Sequence, residues 1–182
     1  MTQRTHGFSL IELLITISIV AILAAVAVPS FTSMIESRRL VAATEGVYAH
    51  LQFARSEAVK LHTDLNFSIK TGSPWCLGIS DDTANCDCNT PAACVYGPAG
   101  STSERNLNGG EFTGVTMSTT RTNAQVDSRR GGFGGTAGTI TLTSPSSSTT
   151  TVIFSSLGRI RICSPTGVGG YPVSSSSLPC PP

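Results

Sequence analysis

Arg159 and Arg161 stand one residue apart in the stretch SLGRIRICS, Ser156–Ser164, of a chain in which only 13% of residues are charged. In a strand, alternate side chains share a face. The two guanidinium groups would therefore project together, about 6.6 Å apart along the chain, while Ile160 and Ile162 turn to the core. A planar guanidinium offers paired hydrogen bonds to phosphate oxygens, so the chemistry open to this doublet is capture of a polyanion backbone. Gly158, lacking a side chain, lets an anion approach closely or lets the chain turn. Arg129, Arg130 and Arg121 extend the patch if the glycine-rich stretch RRGGFGGTAG directs them toward it. The competing reading is that the arginines only keep an exposed strand soluble and unpaired.

Six cysteines form the second group: Cys76, Cys86, Cys88, Cys94, Cys163 and Cys180. An even count implies disulfides if the domain lies in an oxidising compartment, as the N-terminal run Phe8 to Val28 predicts. Cys163 and Cys180 lie together in the tail, and pairing them would staple the C-terminal loop to the last strand. Of the three ways to pair the other four, Cys86 with Cys88 is the least favourable, because one intervening residue leaves a strained bridge; two connectivities stay open. Clustered cysteines can also hold zinc, but the paired C-x-x-C knuckles are missing, so no metal is expected.

Glu12 is the third. It sits in the apolar run Phe8 to Val28, long enough to cross the roughly 30 Å hydrocarbon core of a bilayer as a helix. MTQRTHG carries Arg4 and no acid, which keeps the N-terminus cytoplasmic. A secretory signal peptide competes with this reading, but its apolar region would be shorter. A lone carboxylate at that depth is costly unless it finds a partner.

The elements that position these groups follow from periodicity. Leu40, Ala43, Val47, Leu51, Ala54, Ala58 and Leu61 recur at spacings of three and four and mark one face of an amphipathic helix. From Asp64 onward the period falls to two in DLNFSIK, GTITLTS, TTTVIFSS and RIRIC, which predicts half-buried antiparallel strands. The expected class is α+β, one helix on one or two small antiparallel sheets.

The deficit of charge against roughly 25% in an average soluble protein is filled by Ser, Thr and Gly. The net charge of +1 hides a gradient. From Arg121 onward there are five arginines against Asp127 alone, while Thr63 to Thr120 is acidic. No G-x-S-x-G, P-loop or H-E-x-x-H occurs, so no enzyme and no cofactor is expected. His50 and His62 read as ordinary helix-surface residues, and Trp75 reads as core.

The stretch GFSLIELLITISIVAILAAVAVP resembles the N-terminus of type IV pilins and type II secretion pseudopilins. The resemblance implies a leader, residues 1–7, cut after Gly7 by a prepilin peptidase. Phe8 would be the new N-methylated terminus, and Glu12 an assembly residue that neutralises the terminal amine of a neighbouring pilin subunit. Residues 8–29 would be the membrane and assembly helix, with Pro29 matching the proline that bends or locally melts it, and 30–182 a periplasmic or extracellular head, giving a lollipop. The chain would sit in the inner membrane and then in the pilus. LQFARSEAVK resembles the GspH/FimU/FimT branch of minor pilins. GRIR is similar to the GRxR motif of the DNA-binding FimT type, with Gly158, Arg159 and Arg161 at the matching positions. That implies sequence-independent binding of double-stranded DNA during uptake for natural transformation. A structural minor pilin and a type II secretion pseudopilin share the same N-terminus and fold.

Overall fold

The computed structural model describes residues 8–82, 85–98, 103–135 and 137–173, the side chain of Pro29 excepted. The leader with Gly7, and Cys180 in the tail, lie outside the described residues. The chain divides into two compact units, Met1–Ile35 and Glu36–Pro182.

One helix, α1 (Leu10–Leu61), contributes to both. In the first unit it is apolar and long enough to cross a membrane, and Phe8, Ile11, Ile15, Ile22 and Val26 are all exposed. Glu12 lies in the first turn and is exposed. The helix runs without a break through Pro29, so the proline does not melt it. In the second unit the stripe expected from spacing is the buried one: Leu40, Ala43, Val47, Leu51, Ala54 and Ala58 have no exposed surface, and Leu61 packs at its edge. The helix stops where His62 adopts a left-handed φ of 54°. There Thr63 N–H donates to the Ala58 carbonyl and His62 N–H to that of Val59, which satisfies two of the last carbonyls. His62 is exposed as expected, but His50 is not a surface residue. It is 4% exposed, because its ring turns inward to meet Phe67 at 5.5 Å.

Two four-stranded antiparallel sheets complete the second unit. The first has the order β5 (Leu107–Asn108), β2 (Cys76–Ser80), β1 (Leu65–Lys70), β7 (Asn123–Val126). The second has the order β10 (Ile160–Cys163), β9 (Thr149–Phe154), β8 (Gly138–Thr143), β6 (Thr116–Thr119). A short hairpin, β3 (Val95–Tyr96) with β4 (Ser103–Glu104), stands apart. Strands β8 and β9 alternate between buried and half-buried positions, as their period predicts. Every core residue of the unit comes from Leu40 or later, so the head carries its own complete core. Thr44 on α1 ties that core to the second sheet through a 2.6 Å hydroxyl–hydroxyl bond with Thr150.

Strands β1 and β2 are not half-buried. Asn66, Ser68 and Ser80 are covered as well as Leu65, Phe67 and Ile79. Over Ser68 and Gly78 the cover is the cysteine segment. Cys76 pairs with Cys88 and Cys86 with Cys94, one of the two connectivities left open by spacing. Cys86 N–H donates to Ser68 Oγ at 3.0 Å, and Gly78 lies so close under Cys94 Sγ that no Cβ fits. Lys70 holds both Asp87 oxygens at 2.8 Å, an exposed pair whose hydrogen bond keeps the carboxyl below its usual range. Trp75 is core, donating Nε1–H to the Val115 carbonyl at 2.9 Å and stacking on Phe112.

A candidate nucleic-acid interface

Two turns and one helical arginine build the basic patch. The β9–β10 turn reverses at Ser155–Gly158. Ser155 N–H donates to the Arg159 carbonyl and Gly158 N–H to that of Ser155, each at 2.9 Å, while Arg159 N–H donates to Ser155 Oγ at 3.1 Å. Gly158 is buried at φ 86°. A Cβ there would lie 2.5 Å from the Gly131 carbonyl oxygen and 2.9 Å from the Arg55 guanidinium. Of the two roles expected of Gly158, the turn is the one the backbone requires; protein, not an incoming anion, fills the space beside it.

The second turn follows β7. Asp127 Oδ1 accepts from the backbone N–H of Arg129 at 2.7 Å and of Arg130 at 3.0 Å, and Gly131 N–H donates to the Asp127 carbonyl. This turn presses on the first. Phe133 N–H donates to the Ser156 carbonyl at 3.1 Å, and Gly132 has no room for a Cβ against that same oxygen. Arg55 bridges them from the helix, with Nε–H donating to the Gly131 carbonyl at 2.6 Å and Nη1 to Gln52 Oε1 at 3.1 Å.

The exposed Arg129 and Arg130 thus stand in a turn that packs on the one leading into Arg159. Arg159 is exposed and precedes β10 rather than lying in it. Arg161 is half-buried on the outer face of that edge strand, opposite Ile153. Ile160 and Ile162 turn toward the core but stay half-buried, because an edge strand has only one neighbour to cover them. Arg121 does not join the group. It follows β6, at the opposite edge of the sheet, three strand spacings or about 14 Å from β10. Arg129 also has a partial counter-charge. Asp64 accepts from Ser128 N–H at 2.8 Å, and that bond, then the Ser128 hydroxyl and finally the Arg129 charge, hold its carboxyl below the usual range. Asp64 belongs to an open groove with Asp81, Asp82 and Asp127, which would repel phosphate on that side of Arg129. In residue order Arg55 is one of several charged positions off the apolar stripe of the helix, with nothing to mark it. Of the glycines around it, Gly158 has no room for a Cβ beside the Arg55 guanidinium and Gly132 none beside the Ser156 carbonyl, while Gly131 takes a left-handed φ of 62°.

Residues 43–158, well over half of the chain, match the family described as Type II transport protein GspH. The chain belongs to the GspH family. Residues 2–28 match the prokaryotic N-terminal methylation motif, and with the apolar helix this fits a pilin anchored in the inner membrane and later built into the pilus. Such a pilin implies processing by a prepilin peptidase and contact with other pilin subunits. Two crystal structures of the type IV minor pilin FimU from Pseudomonas aeruginosa (strain PAO1) share the fold of this GspH-family chain. One, in space group P21, has 20% identity and a TM-score of 0.52, covering 69% of this chain and 88% of that one. The other, in P65, has 20% identity and a TM-score of 0.50, covering 68% and 91%. None of the curated proteins matches the chain. The GspH match ends at Gly158, one residue before the arginine doublet, so family membership carries the scaffold and not the doublet.

Proposed function

We propose that this GspH-family pilin holds double-stranded DNA by its phosphate backbone, through Arg159 and Arg161 with Arg129 and Arg130 beside them, during uptake for natural transformation. The observation that carries the reading is the packing of the 127–133 turn on the 155–158 turn, which brings together cations from two parts of the chain where no catalytic constellation is present among the described residues. No arrangement here selects a base edge, so binding is independent of sequence. The test is a titration of the chain with duplex DNA at several salt concentrations, since phosphate contacts release counterions. The second reading is a structural minor pilin or a type II secretion pseudopilin without a ligand of its own. The family description and the fold shared with FimU favour it, and an affinity indifferent to salt and to these arginines would leave it standing.

Assembly rests on Gly7, Phe8 and Glu12. Cleavage after Gly7 leaves a cation on Phe8, which Glu12 of a neighbouring subunit neutralises in a low-dielectric bundle. Replacing Gly7 with a bulky residue is expected to leave uncleaved protein in the inner membrane, and Glu12→Ala to reduce incorporation into filaments with the head still folded. Normal cleavage and surface display of both variants would refute this assignment. Cys163 is disulfide-bonded, and we assign Cys180 as its partner. Closing that loop contributes roughly 3 kcal/mol, and peptide mapping under non-reducing conditions should recover the linked pair.

A further inference from the structure

Leu157 is 89% exposed, the highest value of any large apolar side chain among the described residues. A single exposed leucine is ordinary on a protein surface. This one is held on a turn fixed at each side. Ser155 and Gly158 are tied by backbone bonds, the Ser156 carbonyl is taken by Phe133, and Gly158 is seated against Gly131 and Arg55. Among the described residues from Leu40 onward, only Val59 and Val173 join it as exposed large hydrophobics, at 42% and 62%. Leu157 therefore stands in water on a hydrogen-bonded turn, two residues before Arg159 and on the turn that packs against the one bearing Arg129 and Arg130.

We propose that Leu157 is an apolar wedge that enters between base pairs of the duplex held by these arginines, so that binding unstacks and bends the DNA. The inference rests on the DNA-binding reading above and adds a deformation to it. Phosphate contacts on both flanks hold the backbone while an inserted leucine replaces stacking with its own burial, the arrangement by which apolar side chains kink duplexes. A wedge makes binding prefer easily unstacked steps without reading any base. An anionic lipid surface fits less well. Attachment to lipid grows with buried apolar area, and the other residues of this turn are Ser155, Ser156 and Gly158.

The test uses the full-length chain in neutral detergent micelles and a short duplex carrying 2-aminopurine at several steps. On binding of the unaltered chain, 2-aminopurine fluorescence should rise several-fold. Leu157→Ala should abolish the rise and weaken binding about three- to ten-fold, with an unchanged salt slope because the phosphate contacts are kept. Its exposure makes the substitution harmless to folding. An equal rise with Leu157→Ala would overturn the wedge while leaving the DNA reading intact; failure of the unaltered chain to bind duplex at low salt would overturn both. Leu157→Trp supplies a second readout, because the one native tryptophan, Trp75, is buried. Quenching of its emission by duplex is expected. A blue shift with anionic phospholipid in the micelles and no response to duplex would assign the turn to a lipid surface instead.

Discussion

Changing Arg159 and Arg161 together to glutamine is expected to weaken binding of the full-length chain to duplex DNA by about ten-fold or more at low salt. Glutamine keeps much of the reach and some hydrogen bonding but removes both charges, so two phosphate contacts lose their counterion release. The slope of log affinity against log salt should become shallower by about two. The fold should survive, because Arg159 is exposed and Arg161 lies on an edge strand. Transformation should fall in the same variant while piliation persists. Glutamines at Arg129 and Arg130 should have a smaller effect, since the Asp64 carboxylate already offsets part of the field at Arg129. Arg121→Gln should have almost none, because Arg121 is at the far edge of the sheet. Unaltered affinity and slope in a folded double variant would remove the DNA reading.

The second large effect concerns acid. His50 is buried against Phe67, and its Nε2 has no hydrogen-bond partner among the described residues. Burial first, and the Arg105 charge second, lower its pKa from 6.5 to about 4. The unfolded chain therefore binds the proton more readily than the folded one. The neutral ring's contribution to stability is fully present above about pH 6.5, falls as the pH drops through that value, and is lost by about pH 4. At roughly 1.4 kcal/mol per unit the loss is about 3 kcal/mol, a large part of the margin of a small domain. Denaturant unfolding of the head, which has its own core, should show this between pH 7 and pH 4.5. His50→Leu should flatten that window. The exposed carboxylates of Asp64 and Asp87, both held below their usual pKa of 3.8, lose their contributions only at lower pH, so the two causes separate on the pH axis. The same slope in His50→Leu would show that another group titrates there.

His50 marks where reading along the chain stops. Its neighbours in sequence place it one residue before Leu51 on the helix, at the border of the apolar stripe. Whether a border residue faces water depends on what lies opposite, and here it is Phe67 on β1. The arginines divide in the same way. Arg159 and Arg161 were legible as a doublet because two residues suffice to define a strand face, and the one-residue shift in where β10 begins does not alter their spacing. That Arg129 and Arg130 stand beside them, and Arg121 does not, follows from a loop packing on a loop.

The apolar N-terminal run with its single acid, the buried face from Leu40 to Ala58, the period-two strands and the even set of cysteines are all legible in residue order alone. Each is a pattern among residues a few positions apart, and backbone geometry converts such patterns into helix or strand without reference to the rest of the chain. Which cysteines join, why both faces of β1 and β2 are covered, and that Gly158 is a turn residue seated against Arg55 emerge only from the packed fold. These depend on which surfaces meet once the helix and two sheets close on one core. The 2.6 Å bond from Arg55 to the Gly131 carbonyl joins residues 76 positions apart, a distance across which no local periodicity carries information.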